Sequence, residues 1–312
     1  MLEIMFEEYE VPAMFAAKDA TLECYACGRT SGLVVDIGAS GTSISAILDG
    51  WLEPKAANRS ILGGKVLDAY SLLLLKRKLK GNTPIPLYKL TKTFVPEQGL
   101  VVRHNDVVKN INPTYEALMN LEIGRDLKES TCRMAEYTLN ESDPRYSSIP
   151  SVPYELPDGT VVDIGIERFQ VPELLFDPSP LELASPQYVE LKSLVSTSST
   201  NKTDSITTLI SDSIFRCDVE THTSLLSNII LAGGSSGFEG MPERLKTELE
   251  NVIHKYAPGV KVKIMANGTN ERHLCAWIGG SILASLGSFH EMWISKHEYQ
   301  ECGKSILDRK CP

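Results

Sequence analysis

Residues 33–45, LVVDIGASGTSIS, constrain this chain more than any other stretch. Leu33, Val34 and Val35 form a short apolar run that reads as a buried strand. Asp36 ends it, and Gly38 and Gly41 bracket a tight turn. Thr42 to Leu48 alternates small, polar and β-branched residues up to the Asp49-Gly50 hairpin signal, so it reads as the returning strand. A glycine-bracketed turn between strands points successive backbone N–H groups into one concavity, which suits a phosphate. A carboxylate at the strand end suits a hydrated Mg²⁺ beside that phosphate. An ordinary surface hairpin would share this local pattern. The added weight comes from a second apolar strand much later, NIILA at residues 228–232, which also runs into glycines, Gly233 and Gly234.

Two such turns facing each other would assemble a nucleotide cleft between two α/β lobes. Asp36 and Gly38 would hold phosphates and metal. Gly233 and Gly234 would let the adenosine end approach backbone, because no side chain intervenes. The chain has no Walker lysine motif and no G-x-G-x-x-G, which weakens P-loop and Rossmann readings.

At 312 residues the chain has room for one large domain or two medium ones. A formal net charge of −9 argues against direct binding to nucleic acid, which needs a positive surface. No apolar run approaches a membrane span, and the acidic opening MLEIMFEEYE is not a signal peptide. Seven irregularly spaced cysteines suggest free thiols in a reducing compartment. Cys24 and Cys27 form C-x-x-C without a second pair, so two small buried residues are favoured over zinc. The run Lys76, Arg77, Lys78, Lys80 reads as a helix C-terminus meeting its own dipole, with a nuclear import signal as the alternative.

The patterning predicts helices over residues 11–29, 62–79, 115–140, 206–217, 242–256, 277–286 and 291–299. It predicts a hairpin over 154–169 turning at Asp158-Gly159, and an alternating strand over 260–265. Residues 84–113 read as a long, mostly irregular insert, and 185–205 as a second, Ser/Thr-rich one.

The segments MFEEYEVPAMF, YACGRTSGLVVDIGASGT, GRDLKES, YELPDGTVVDIGIERF, IILAGGSS and WIGGSILASLGSFHEMWISKHEY resemble actin and the actin-related proteins in the family's own order. The ending GKSILDRKCP looks most like the nuclear actin-related protein four class. The resemblance implies the actin-like α/β nucleotide-binding fold. It begins part-way into the family pattern, so a first phosphate hairpin and part of an outer subdomain are expected to be missing. It also implies a division: residues 1–26 with 275–312, then 27–62 with 185–274, and 63–184 as a small outer subdomain.

By resemblance, Asp36 and Gly38 match the second phosphate hairpin, with Asp36 reaching Mg²⁺ through water. Gly64 matches a glycine beside the ribose. Lys128 and Glu129 match a pair that contacts adenosine, although helix packing alone would also account for them. Gly233 and Gly234 match the purine-end glycines, Phe238 an aromatic flanking the base, and His273 a position held by lysine in actin. Ala39, Ser43 and Asp19 depart from actin's aspartate, histidine and glutamine around the metal and attacking water, which weakens the case for hydrolysis.

The resemblance therefore implies a non-catalytic nuclear subunit of chromatin-remodelling and histone-acetyltransferase complexes, with ATP and Mg²⁺ as structural ligands. Its expected partners are actin, a helical segment of a remodelling ATPase subunit and other chromatin-complex subunits, with no sequence-specific nucleic acid and no membrane. The alternative is a cytoplasmic, cytoskeletal actin-like ATPase that forms filaments. A small-molecule kinase of the wider superfamily is a more remote third reading.

Overall fold

The computed structural model describes residues 1–96, 99–105, 111–139, 149–182, 204–256 and 259–311. Its centre is a six-stranded mixed sheet. Ile264–Met265, Ile229–Ala232 and Gly32–Ile37 run parallel. Gly32–Ile37 then turns back antiparallel into Thr42–Leu48, which pairs with both Trp51–Leu52 and Asn58–Ser60. In this register Asp36 lies between Ala232 and Ser43. Both glycine turns therefore leave the sheet from the same edge, at the carboxyl ends of adjacent parallel strands, where open α/β sheets hold their ligands.

Strand alternation sets the two faces. Leu33, Val35, Ile37, Ile44, Ile229 and Leu231 pack against Leu209, Ile210 and Ile214 of the Ile206–Phe215 helix and Leu245 and Leu249 of the Met241–Ile253 helix. Val34, Ile47 and Ile230 face the other way, onto Ala20 and Cys24 of the Asp19–Ala26 helix. Gly32–Ile37 is thus covered on both sides, which is why its sequence is an apolar run and not an alternation.

A second layer joins the Gly64–Lys78 and Pro113–Thr131 helices. Gly124 lets them approach: a Cβ there would run into the Asp68 carbonyl. Leu75, Ile123 and Leu127 then cover Tyr154, Leu156 and Ile164 of the Val152–Glu155/Val161–Ile164 hairpin, which turns at Asp158-Gly159 as its sequence predicts. The cationic run at 76–80 closes the Gly64–Lys78 helix, and Lys78 pairs with Glu167 at 3.0 Å.

Several predicted elements are different. The helix expected over 11–29 begins only at Asp19, because Ala13–Met14 pairs as a strand with Ile294–Ser295. That pairing also splits the helix expected over 291–299. Its second half restarts at Lys296 under a capping box of Ser295 and Glu298. Backbone pairing between two ends of the chain outweighs alanine's helix preference here. The insert at 84–113 contains a regular antiparallel hairpin, Leu90–Val95 with Gly99–His104. The helix expected over 115–140 runs from Pro113, capped by the Asn112 side chain on Thr114 N–H, and ends at Thr131. Met134 is buried from an extended segment after it. Of the strand expected over 260–265, only Ile264–Met265 pairs. The Ser/Thr-rich stretch lies outside the described residues up to residue 203.

Candidate functional site

The site starts at the edge where the two glycine turns meet. Burial pushes the Asp36 carboxyl up to about 6; nearby Asp19 adds to the shift and Arg59 opposes it. Gly233 adopts φ +84°, and a Cβ there would collide with the Asp36 carboxylate and the Ile37 carbonyl. Only glycine permits this backbone-to-backbone junction. Arg272 latches the second turn: its carbonyl accepts from Gly233 N–H at 3.1 Å, and its guanidinium donates to the Ser236 carbonyl at 2.6 Å.

The hairpin tip is tied outward as well. Gly38 O accepts from Gly64 N–H at 2.9 Å, and Ala39 O accepts from Lys65 N–H at 2.9 Å. Ser235 Oγ donates to the same Gly38 carbonyl at 3.4 Å, joining the two turns directly. The Gly64–Lys78 helix docks here because a Cβ on Gly63 would lie 2.7 Å from Gly38 O. None of the hydrogen bonds among the described residues uses the N–H of Ala39 or Ser40, both exposed at the tip.

Across from these turns stands the Pro113–Thr131 helix. Its Lys128 is buried and pairs with Asp68 at 2.6 Å. Glu129 is exposed and accepts from Arg125 Nε at 3.0 Å. A cavity of about 1200 Å³ lies between the two walls. Gly64, Lys128, Glu129, Gly234, Phe238 and His273 all line it. Asp36, Gly38 and Gly233 sit behind that lining, where they hold the two turns together. A Cβ on Gly234 would come within 2.7 Å of His273 Nδ1, and one on Gly64 within 2.7 Å of Ser235 Oγ.

The lining includes groups that sequence reasoning missed. Lys65, Arg125, Arg133, Arg168, Asp68, Glu122 and Glu239 share the lining with the expected Lys128 and Glu129. Cations outnumber carboxylates here although the whole chain carries −9, a local reversal that suits an anion. Asp68 was legible only as a helical residue one turn after Gly64. Arg168 and Arg272 belong to no pattern, and their roles follow from packing.

With this geometry in view, comparison with known proteins is informative. The family model described as Actin matches residues 1–312. The chain belongs to the actin family. It is 39% identical to Actin-related protein 4 of Arabidopsis thaliana over 313 residues, which cover 99% of this chain and 67% of that protein. It is 38% identical over 311 residues to Actin-related protein 4 of Oryza sativa, subspecies indica and japonica, with the same coverage of 99% and 67%. The mixed sheet with helices on both faces is accordingly the actin-like α/β fold.

Two features of the cleft suit an anionic ligand. Gly64, Gly234 and Gly237 open gaps in one wall, and Arg125, Lys128, Arg133 and Arg168 stand on the other. No group of three His, Cys, Asp or Glu side chains is arranged to hold a metal ion among the described residues. Asp36 is the carboxylate at the hairpin, set behind the cavity lining.

Proposed function

We propose that this chain is a non-hydrolysing actin-related subunit of nuclear chromatin-remodelling and histone-acetyltransferase complexes, with Mg-ATP as a structural ligand in its cleft. The observation that carries the nucleotide reading is the opposition of the Gly64 and Gly234 positions to Arg125, Lys128, Arg133 and Arg168 across a cavity of about 1200 Å³. Phosphate oxygens would take the Ala39 and Ser40 N–H groups at the hairpin tip, the arrangement that makes successive amides an anion nest. Lys128 would bring its ammonium to the ligand while remaining paired to Asp68. Mg²⁺ would screen phosphate charge, with Asp36 holding its water shell. Gly234 leaves room for the base or ribose between Phe238 and His273.

Turnover is not expected. Ser43 stands directly across the ladder from Asp36, Ala39 offers no polar group at the tip, and Asp19 adds negative charge beside Asp36. Phosphoryl transfer needs an oriented water and compensating charge, and these three positions supply neither. Support for the chromatin role comes from likeness to proteins named Actin-related protein 4 and from the ending GKSILDRKCP.

The test is thermal unfolding with and without Mg-ATP. A ligand at a hundredfold its Kd stabilises the folded state by about 2.7 kcal/mol. Gly234→Val should abolish the shift. Its backbone is not in the left-handed region, and the new side chain presses on a movable ring, so the unliganded Tm should change little. A Gly234→Val variant that responds like wild type would refute the nucleotide reading. Phosphate release at an actin-like rate would refute the absence of turnover. Pelleting in polymerising salt would favour the filament alternative. Recovery of actin and remodelling subunits from nuclear extract would support the chromatin role.

A further inference from the structure

We propose that Arg133 and Arg168 form a second anion site in the cleft, which takes a phosphate group apart from the hairpin tip. The charges of the Pro113–Thr131 helix are already matched. Lys128 pairs with Asp68 at 2.6 Å, and Arg125 pairs with Glu122 at 3.6 Å and Glu129 at 3.0 Å. Arg133 and Arg168 line the same cavity, and neither makes an ion pair among the described residues. Lys65 stands apart from them, exposed in the first turn of the Gly64–Lys78 helix.

The two arginines are brought together by contacts of both backbone and side chain. Arg133 N–H donates to the Arg168 carbonyl at 3.2 Å. Both guanidinium carbons lie over the ring of buried Phe169, at 5.5 Å and 5.6 Å from its centroid. Arg168 Nε donates to the Thr131 carbonyl at 3.0 Å, which fixes its guanidinium and leaves the two Nη groups without a partner among the described residues. Met134, next in the chain to Arg133, donates its N–H to the Glu239 carbonyl at 2.9 Å, so the pair is anchored beside Phe238. The Glu239 carboxylate lines the cavity too, and it forms an ion pair with neither arginine.

Two guanidiniums that share one ring repel each other, and a dianion between them turns that repulsion into attraction. Guanidinium is a planar fork whose paired N–H groups match the oxygens of a phosphate. A carboxylate offers two oxygens and one charge. A phosphomonoester offers three oxygens and nearly two charges, so it answers both arginines at once. The cavity of about 1200 Å³ exceeds the roughly 300–1,000 Å³ of a single small-molecule site, so a phosphate here does not compete for the space beside Gly234. The phosphate has two possible sources: the ribose of a ligand already in the cleft, or a separate phosphorylated molecule. The site depends on Arg133 and Arg168 and stands whether or not a nucleotide occupies the Gly234 side.

Arginine-selective labelling of the whole chain with phenylglyoxal, mapped by peptide mass spectrometry, reads the site directly. With inorganic phosphate at ten times its Kd, labelling of Arg133 and Arg168 should slow about tenfold. Exposed Arg309 should be labelled at an unchanged rate, and chloride at matched ionic strength should protect none of the three. Adenosine 3′,5′-bisphosphate separates the two sources. Protection at a lower concentration than inorganic phosphate assigns the group to a ligand's ribose, and protection at the same concentration assigns it to a separate molecule. Gly234→Val should keep the protection by inorganic phosphate, so the result does not depend on the nucleotide reading. Arg133→Gln and Arg168→Gln should each abolish the phosphate-dependent rise in Tm. Unchanged labelling of Arg133 and Arg168, protection no greater than that of Arg309, or loss of protection in Gly234→Val would each overturn the proposal. The wild-type labelling map decides this even if the glutamine variants fail to fold.

Discussion

The two walls of the cleft are made differently. One is backbone: Gly38, Gly63, Gly64, Gly233 and Gly234 bring turns and a helix start into contact, and Cβ atoms at Gly63, Gly64, Gly233 and Gly234 would come within 2.7 Å of a neighbour. The other is side chains: Lys128, Glu129 and Arg125 project from one helix, with Arg133 and Arg168 beside them. Where such a glycine meets backbone, as at Gly63 and Gly233, a side chain cannot be added without straining the fold. A side-chain wall can be altered at little cost where its members are exposed and pair with each other, as Arg125 and Glu129 do. Conformation is therefore concentrated on one side and ligand chemistry on the other.

The largest effect is expected where the walls are bolted together. Arg244, on the helix that follows the second glycine turn, is buried against Glu173 at 2.8 Å and Glu248 at 2.9 Å. It also donates to the carbonyls of Ala135 and Tyr137, on the segment that continues the Lys128 helix. Arg244→Ala leaves Glu173 buried without its cation, so urea unfolding should show a loss of about 3–5 kcal/mol. A loss under 1 kcal/mol would mean that the walls are held by something else.

Glu23, beneath the backbone wall, tests the opposite sign. Burial, with Asp36 and Asp19, pushes its carboxyl up to about 8, and Oε2 has no hydrogen-bond partner among the described residues. The folded state favours the protonated form, so the stabilisation it gives is complete below the unfolded value of 4.5 and is lost as pH rises through about 8. Glu23→Gln should therefore be neutral near pH 4 and stabilising at pH 7 by up to roughly 3 kcal/mol. Parallel stability–pH curves for the two proteins would contradict this.

Gly233→Ala breaks the backbone wall itself. The left-handed φ of +84° alone should cost about 1–3 kcal/mol. The clash with Asp36 comes on top of that. The smallest effect belongs to the facing wall. Glu129 is exposed and, among the described residues, pairs with Arg125, so Glu129→Ala should leave the unfolding free energy within about 0.5 kcal/mol of wild type. Its consequence should appear in the Mg-ATP shift. If Glu129→Ala and Gly233→Ala destabilise equally, the contrast between the walls fails.

The sequence made the backbone wall readable and left the side-chain wall largely hidden. Asp36, Gly38, Gly233 and Gly234 stand out because two separate apolar strands each stop at glycines. Lys128 and Glu129 were reached only through family resemblance, since a Lys–Glu pair on a helix is commonplace. Arg168, Arg272 and Asp68 gave no local signal. The Ser295–Glu298 capping box was a local signal that could have moved the helix start to Lys296, and the alternating Leu90–Val95 could have revealed its hairpin.

By itself, the sequence determined the strands Gly32–Ile37, Thr42–Leu48 and Ile229–Ala232, the turns between and after them, and the helices Gly64–Lys78, Ile206–Phe215 and Met241–Ile253. These rest on periodicity, glycine and capping, which act over a few residues. Tertiary structure alone decided that Ala13–Met14 is a strand, that Arg244 reaches Glu173, and that Arg133 and Arg168 join Lys128 in one cavity lining. Each of these depends on partners distant in sequence. Their energies come from burial and pairing, which no local window contains.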